Sequence, residues 1–207
     1  MAREKGPKCR RCRREGVKLF LKGARCDTKK CPVEERPVPP GEHAFRRQKV
    51  SEYGKRLREK QKVKRFYGIG ERQFIRYFNM AERQKGSTGV NLLLLLERRI
   101  DNVVHIIGWA PSRAAARQMI AHGHLRLNGR RHRSASCLVR PNDTIEVSRN
   151  EKIRKLVTEN EQEAKRRRPE WVEVDSEALV ARVLRHPVRD EVSVETQENL
   201  IVEFCSR

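Results

Sequence analysis

Aromatic side chains and long apolar segments are both scarce in this chain. Aromatic residues make up only 5% of the 207 residues, so stacking on unpaired bases is not expected to be a main binding mode. The apolar run Leu92–Leu96 is far shorter than the roughly 20 residues that span a bilayer. The first residues hold no apolar stretch of the kind found in secretory signals. No basic amphipathic helix with a Trp, Phe or Leu face is evident either, so we expect no membrane partner.

Catalytic signatures are also missing from the sequence. It contains no P-loop, no Gly-x-Ser-x-Gly elbow and no glycine fingerprint for a dinucleotide. We therefore predict a protein that is not an enzyme, with no catalytic residues and no small-molecule substrate.

Positive charge is what the sequence has in excess. There are 48 Lys and Arg against 27 Asp and Glu, which gives a net charge of +21 and a pI near 10.5. Such an excess repels itself in a free globule, and phosphates would neutralise it. The charge is concentrated before residue 158, since residues 1–90 carry +17, residues 91–157 carry +8 and residues 158–207 carry −4. Nucleic acid is the partner that this pattern favours.

Four of the six cysteines lie close together near the N-terminus, at positions 9, 12, 26 and 31. Two close pairs joined by a short loop are typical of a structural zinc site, in which four thiolates hold one ion and leave no open position for catalysis. We therefore predict one structural Zn²⁺ bound by Cys9, Cys12, Cys26 and Cys31. An iron–sulfur cluster uses the same ligands and stays as an alternative, as do four cysteines that only pack.

Helical patterns dominate the middle of the chain. The prolines of residues 32–43 predict a linker. A helix capped by Ser51 should run to about Phe66, and a second from Glu71 to Gln84, with Phe74, Ile75, Phe78 and Ala81 on its buried stripe. One apolar helix is then predicted to carry Leu93 through Ile107 on its buried face and to end at Gly108.

A small mixed module should follow. Ser112 is predicted to cap a helix that ends at Gly123, and Leu125–Leu127 alternates like a strand. Asn128-Gly129 is a strong hairpin signal, and Thr144–Val147 alternates again. Beyond it we predict a charged helix over Glu159–Arg168, short strands at 171–174 and at Leu200–Phe204, and a brief helix that begins at Asp175.

The predicted fold class is therefore α+β, with a zinc-bound N-terminal arm, a helical domain and an inserted nucleic-acid-binding module of two helices on an antiparallel sheet. The segments are 1–45 for the four-cysteine zinc-binding arm, 46–90 for a helical region that binds nucleic acid, 91–157 for the docking module and 158–207 for a C-terminal segment that packs back on the helical domain. The predicted RNA-binding residues are Arg10, Arg11, Arg13, Arg14, Lys22, Arg46, Arg47, Lys49, Lys55, Arg56, Arg58, Lys62, Lys64, Arg65, Arg113, Arg117, His122, His124, Arg126, Arg130 and Arg131.

Several stretches, in order along the whole chain, resemble the bacterial-type family of the fourth protein of the small ribosomal subunit. They are Cys9–Gly16 with Lys18–Gly23, Tyr53–Lys62, Leu96–Val104, Ser112-Arg113 with Ala116–Gln118, His122–His124, Asn128-Gly129 and Leu200–Phe204. The stretch Arg133–Cys137 is more polar than that family's usual sequence, so RNA contacts there are left open.

The resemblance implies a structural, primary binder of the 5′ domain of small-subunit rRNA that nucleates subunit assembly and contributes to translational accuracy. It also implies neighbouring ribosomal proteins as partners, especially the fifth small-subunit protein, and mRNA near its entrance. The location would be the small ribosomal subunit of the cytoplasm or of an organelle.

The sequence argues against two other functions. An RNA-modifying enzyme such as a pseudouridine synthase shares the docking module, but too little chain is left for a catalytic domain. A zinc-dependent DNA-binding regulator would need a recognition helix and usually a dimerisation element, and neither is evident in the sequence.

Overall fold

The structure is a computed structural model that describes residues 6–42, 49–164 and 168–206. It divides into two compact units, the first formed by Met1–Leu92 with Val194–Arg207 and the second by Leu93–Ser193. Both helices and an antiparallel sheet are present, so the α+β class is confirmed. No helix in the described ranges is long and apolar enough to cross a membrane.

The elements, in chain order, have the following bounds. The helices are α1 Lys8–Glu15, α2 Pro32–Glu35, α3 Glu52–Phe66, α4 Glu71–Glu82, α5 Thr88–Glu97, α6 Ile100–Ile106, α7 Arg113–Ala121, α8 Glu151–Glu163 and α9 Glu198–Cys205. The strands are β1 Leu125–Leu127, β2 Arg130–His132, β3 Thr144–Val147, β4 Val172–Asp175 and β5 Val180–Val183. Single 3-10 turns lie at Gly23–Asp27 and Arg189–Glu191.

In the first unit, α3 packs against α9. The predicted cap of α3 is confirmed, since the Ser51 hydroxyl accepts the Gly54 N–H at 3.1 Å. An ion pair of 2.7 Å joins Arg56 to Glu203, and the rings of Tyr53 and Phe204 lie 5.4 Å apart. These contacts fix the C-terminal helix on α3.

The second unit is built on a five-stranded antiparallel sheet with the order β2-β1-β3-β5-β4. Helices α6 and α7 supply much of its core, in which Trp109 and Trp171 are almost fully buried. Helix α7 begins and ends as predicted. The Ser112 hydroxyl accepts the Ala115 N–H at its start, and Gly123, with φ +75°, follows its end. Asn128 and Gly129 also have the positive φ that a type I′ hairpin needs.

Two helix predictions were wrong at their boundaries. The stripe from Leu93 to Ile107 is not one helix, because Arg99 is extended and forms a bridge with Leu138 that separates α5 from α6. The proline-rich linker contains the short helix α2, since Pro32 occupies the first helical turn, where its missing N–H costs nothing.

Two predictions in the C-terminal part were wrong in type. Residues 200–204 belong to helix α9 rather than to a strand. Asp175 does not cap a helix; its carboxylate accepts the N–H groups of Glu177 and Ala178 at 3.0 Å and shapes the turn between β4 and β5. Ile75 was also misplaced, because it is 48% exposed and lies off the buried face of α4.

Candidate nucleic-acid interface

The four N-terminal cysteines surround one small pocket. Cys9 and Cys12 lie one turn apart on α1, Cys26 lies in a 3-10 turn, and Cys31 caps α2. All four are free thiols, and all four line the same pocket. The arm therefore brings together the residues that the C-x-x-C spacing singled out.

The chemistry of this pocket suits a thiophilic cation. Burial raises the pKa of the Cys12 and Cys26 thiols, and the charge of the neighbouring cysteines adds to the effect. Within the described residues no three His, Cys, Asp or Glu side chains are gathered closely enough to form a finished metal site. The donors nevertheless fit zinc, because a divalent ion would offset the charge of thiolates in a buried setting.

Helix α3 carries seven lysines and arginines, and each lies within ion-pair distance of a carboxylate. The predicted RNA-binding residues among them are Lys55, Arg56, Arg58, Lys62, Lys64 and Arg65. Their carboxylates come from α1, α3, α4 and α9, so much of this charge is neutralised inside the first unit. Contact of these six cations with RNA stays a prediction.

Glu15 is a buried carboxylate that pairs with two of these cations. Its side chain is only 2% exposed and lies between Arg58, at 3.4 Å, and Arg65. Burial raises the pKa of Glu15, although both arginines oppose that rise. Since Glu15 ends α1, these ion pairs tie the cysteine arm to α3.

The other predicted cations of the first unit differ in their surroundings. Arg13 donates to the carbonyl of Val38 at 2.9 Å, and Arg11 is half-buried. Arg46 and Arg47 lie outside the described residues. The exposed side chains that have no hydrogen bond or ion pair in the described part of the chain are Arg10, Arg14, Lys22 and Lys49.

In the second unit, the predicted RNA-binding residues Arg113 and Arg117 are largely covered by the protein. Arg113 is only 8% exposed, and its Nε donates to the Asn102 side-chain oxygen at 2.7 Å. Arg117 is 16% exposed at its side chain and lies 3.3 Å from the buried carboxylate of Asp101. Both arginines therefore take part in a polar network inside the protein, and their contact with RNA stays a prediction.

That network has two buried carboxylates. Asp101 accepts two hydrogen bonds from Arg99, at 3.0 and 2.6 Å. Glu97 accepts from Asn102, and its other oxygen accepts the Ser193 N–H at 2.7 Å. The network therefore joins α5, α6 and α7.

The end of α7 meets the β1–β2 hairpin through Arg131. Its guanidinium donates to the carbonyls of His122 and Gly123 at 3.0 and 3.1 Å. A side chain at Gly123 would collide with this group, since a Cβ there would overlap the Arg131 Nε. The ring of His122 lies 5.8 Å from that of His124. Burial, with His122 and Arg131 nearby, lowers the pKa of His124, which favours the neutral ring.

The hairpin gathers positive charge on the sheet. Arg126 of β1 pairs directly with Arg131 of β2 and, on its other side, with Glu146 of β3. Arg130 is exposed at the start of β2. Like charges opposite each other destabilise a sheet, and Glu146 neighbours Arg126 but not Arg131. An external anion would relieve that repulsion.

Comparison with known proteins decides the family. Residues 3–97 match the family model described as the ribosomal protein S4/S9 N-terminal domain, and residues 98–145 match the S4 domain. The chain is 53% identical over 207 residues to small ribosomal subunit protein uS4A of Symbiobacterium thermophilum, with 100% of both chains covered. It is 51% identical to uS4 of Caldicellulosiruptor bescii and 50% identical to uS4 of Dictyoglomus turgidum, again over the full length of both. The chain belongs to the uS4 family. Members of this family are structural ribosomal proteins, so the prediction that the chain is not an enzyme is confirmed.

Sequence reasoning missed the internal acceptors of this uS4-family chain. Glu97 and Asp101 are 1% and 3% exposed, although acidic residues are rarely buried unless they are paired. Their position beside the apolar stripe of α5 and α6 was the available signal. Two acidic residues next to a buried face require buried cations, and Arg99, Arg113 and Arg117 were the nearest candidates in the sequence.

Proposed function

We propose that this uS4-family chain binds the 5′ domain of small-subunit rRNA in the cytoplasmic ribosome, nucleates subunit assembly there and contributes to translational accuracy. The observation that carries the proposal is the β1–β2 hairpin, where Arg126 and Arg131 lie opposite each other and the next position, Arg130, is exposed on the other face. Phosphate groups are the counter-charge that such a surface suits. The net charge of +21 supports the same partner.

The double variant Arg126→Gln/Arg130→Gln tests this surface. Binding of a 5′-domain transcript in a filter assay at physiological salt should weaken by about 1–3 kcal/mol, the scale of hydrogen bonds to charged groups. Thermal stability should stay within about 0.5 kcal/mol of the wild type. Arg131 is left unchanged because it also holds the end of α7.

The matched control is Arg168→Gln/Arg185→Gln, which removes the same charge from two surface ion pairs of the second unit. It should bind the transcript like the wild type. A wild-type protein that binds an unrelated RNA as tightly as the transcript would overturn the proposed function. Equal binding by both double variants would move the RNA contacts away from the hairpin.

The N-terminal arm is proposed to hold one structural zinc ion through Cys9, Cys12, Cys26 and Cys31. The shared pocket of the four thiols supports this, and the metal would supply folding free energy rather than catalysis. Native mass spectrometry and elemental analysis should find one zinc per chain. Cys26→Ser should lose it, whereas Cys137→Ser, which changes a half-buried thiol of the other unit, should keep it. Iron with visible absorption would instead support the cluster.

Membership of the uS4 family supports two further neighbours in the ribosome. We propose that the chain lies beside the fifth small-subunit protein and close to mRNA at its entrance. Chemical cross-linking of assembled subunits, read by mass spectrometry, tests both neighbours. Cross-links only to other proteins and to rRNA distant from the mRNA path would contradict them.

A further inference from the structure

Helix α4 has two faces of opposite character. Phe74, Phe78 and Ala81 are at most 5% exposed on one side. The other side carries Arg72, Arg76 and Arg83, all exposed. At 100° per residue these three arginines fall within about 40° around the helix axis, so they form one row along it.

The row is flanked by residues that complete a shallow depression. Asn79 lies between the arginines, and Ile75 and Met80 border them. In the described part of the chain none of the three arginines has a hydrogen bond or an ion pair. This contrasts with α3, where each lysine and arginine lies beside a carboxylate.

Acidic groups near α4 do not compensate the row. Glu71 is engaged by Lys60 at 2.5 Å and by Lys64 at 3.0 Å. Glu82 is exposed, but its position around the helix axis is about 100° from that of Arg83, so it lies off the row. Among the residues that the structure describes, no carboxylate pairs with these three positive charges.

We infer that this face, the α4 arginine face formed by Arg72, Arg76, Asn79 and Arg83, binds the phosphate backbone of the small-subunit rRNA. The inference rests on the proposed function and assigns a contact surface within the region 46–90 to four residues that are not among the predicted RNA-binding residues. Guanidinium forks match phosphate oxygens, and the Asn79 amide offers a further donor to phosphate or to a ribose hydroxyl. No aromatic side chain lies on this face, so backbone contact is favoured over base stacking.

The test titrates the full-length chain with a 5′-domain transcript at several salt concentrations. Arg72→Gln/Arg76→Gln/Arg83→Gln should bind more weakly than the wild type at every salt concentration. Each lost phosphate contact lowers the slope of log K against log salt by about 0.9. Affinity falls by some factor for each protein when the salt rises from 50 to 200 mM. That factor should be about 40 times smaller for the variant than for the wild type.

The control is Lys18→Gln/Arg168→Gln/Arg185→Gln, which removes three charges that form surface ion pairs. It should keep the wild-type salt slope. If the wild type fails to bind the transcript, the proposed function falls. If the wild type binds and the α4 variant has the same affinity and salt slope as the control variant, the inference about the α4 arginine face is overturned while the proposed function stands.

A photo-cross-linker placed at position 79 identifies the occupant in assembled subunits. Cross-links to rRNA would support the inference. Cross-links only to another ribosomal protein would overturn it, because the face would then be a protein contact.

Discussion

Replacing Arg113 by alanine should destabilise the second unit more than its place in a basic protein suggests. Arg113 is 8% exposed, and its Nε donates to Asn102 at 2.7 Å. Asn102 in turn donates to the carbonyl oxygen of Glu97 at 3.0 Å and to its carboxylate. Loss of the guanidinium leaves the Asn102 oxygen without this donor and removes a cation from a cluster that holds buried carboxylates.

The size of the effect follows from that burial. An unsatisfied buried polar group costs about 1–3 kcal/mol, and removing one partner from a buried ionic cluster costs about 3–5 kcal/mol. We expect a loss near the upper range, about 3–5 kcal/mol. For a unit of about 100 residues this lowers the Tm by about 15–25 °C. Differential scanning calorimetry of the full chain, with circular dichroism at the same temperatures, measures it.

The comparison variant is Arg117→Ala. Arg117 is more exposed and shares Asp101 with Arg99, which keeps both of its shorter hydrogen bonds. Its loss should cost about 1 kcal/mol. If Arg113→Ala melts within about 3 °C of the wild type while rRNA binding drops, Arg113 faces RNA and the internal network is not what holds α7.

Local chemistry made much of the fold predictable. The caps at Ser51 and Ser112 and the left-handed positions Gly123 and Asn128-Gly129 each depend on residues within three or four positions. Such signals act before tertiary structure forms, so the sequence alone was sufficient to place them.

Tertiary contacts decided the elements that the sequence misassigned. The run Leu200–Phe204 has the β-branched and aromatic character of a strand, yet it is helical where Arg56 pairs with Glu203 and Tyr53 meets Phe204. Strand β5 likewise forms because it pairs with both β3 and β4. Glu203 and Phe204 meet partners more than 140 residues earlier in the chain, and β3 ends more than 30 residues before β5 begins, so a local pattern could not reveal these contacts.

The net charge predicts many cations, but it does not separate those paired inside the protein from those available to RNA. Arg58 and Arg65 were assigned to RNA, and their internal partner Glu15 lies more than 40 residues earlier. Arg72 and Arg76 were overlooked, although they have no partner in the described residues. The number of arginines bounds the partner class, whereas the position of each carboxylate decides which arginines remain available.

Two further predictions test one local interaction in each unit. Gly123→Ala should both lower the Tm and weaken rRNA binding, because a Cβ collides with Arg131 and the φ of +75° is strained for alanine. Gly129→Ala is the control, since Gly129 has a similar φ but open space around it. Equal Tm values for the two variants would show that the collision contributes nothing. The second prediction concerns acid. Burial alone would raise the pKa of Glu71, but hydrogen bonds from Lys60 and Lys64 lower it below its usual range. A carboxyl with a lowered folded pKa stabilises the protein above its unfolded value, near 4.3, and loses that contribution as the pH falls through the folded value. Urea unfolding of Glu71→Gln should therefore show a smaller loss of stability than the wild type between about pH 5 and pH 3, and parallel curves would show that the pairing contributes nothing.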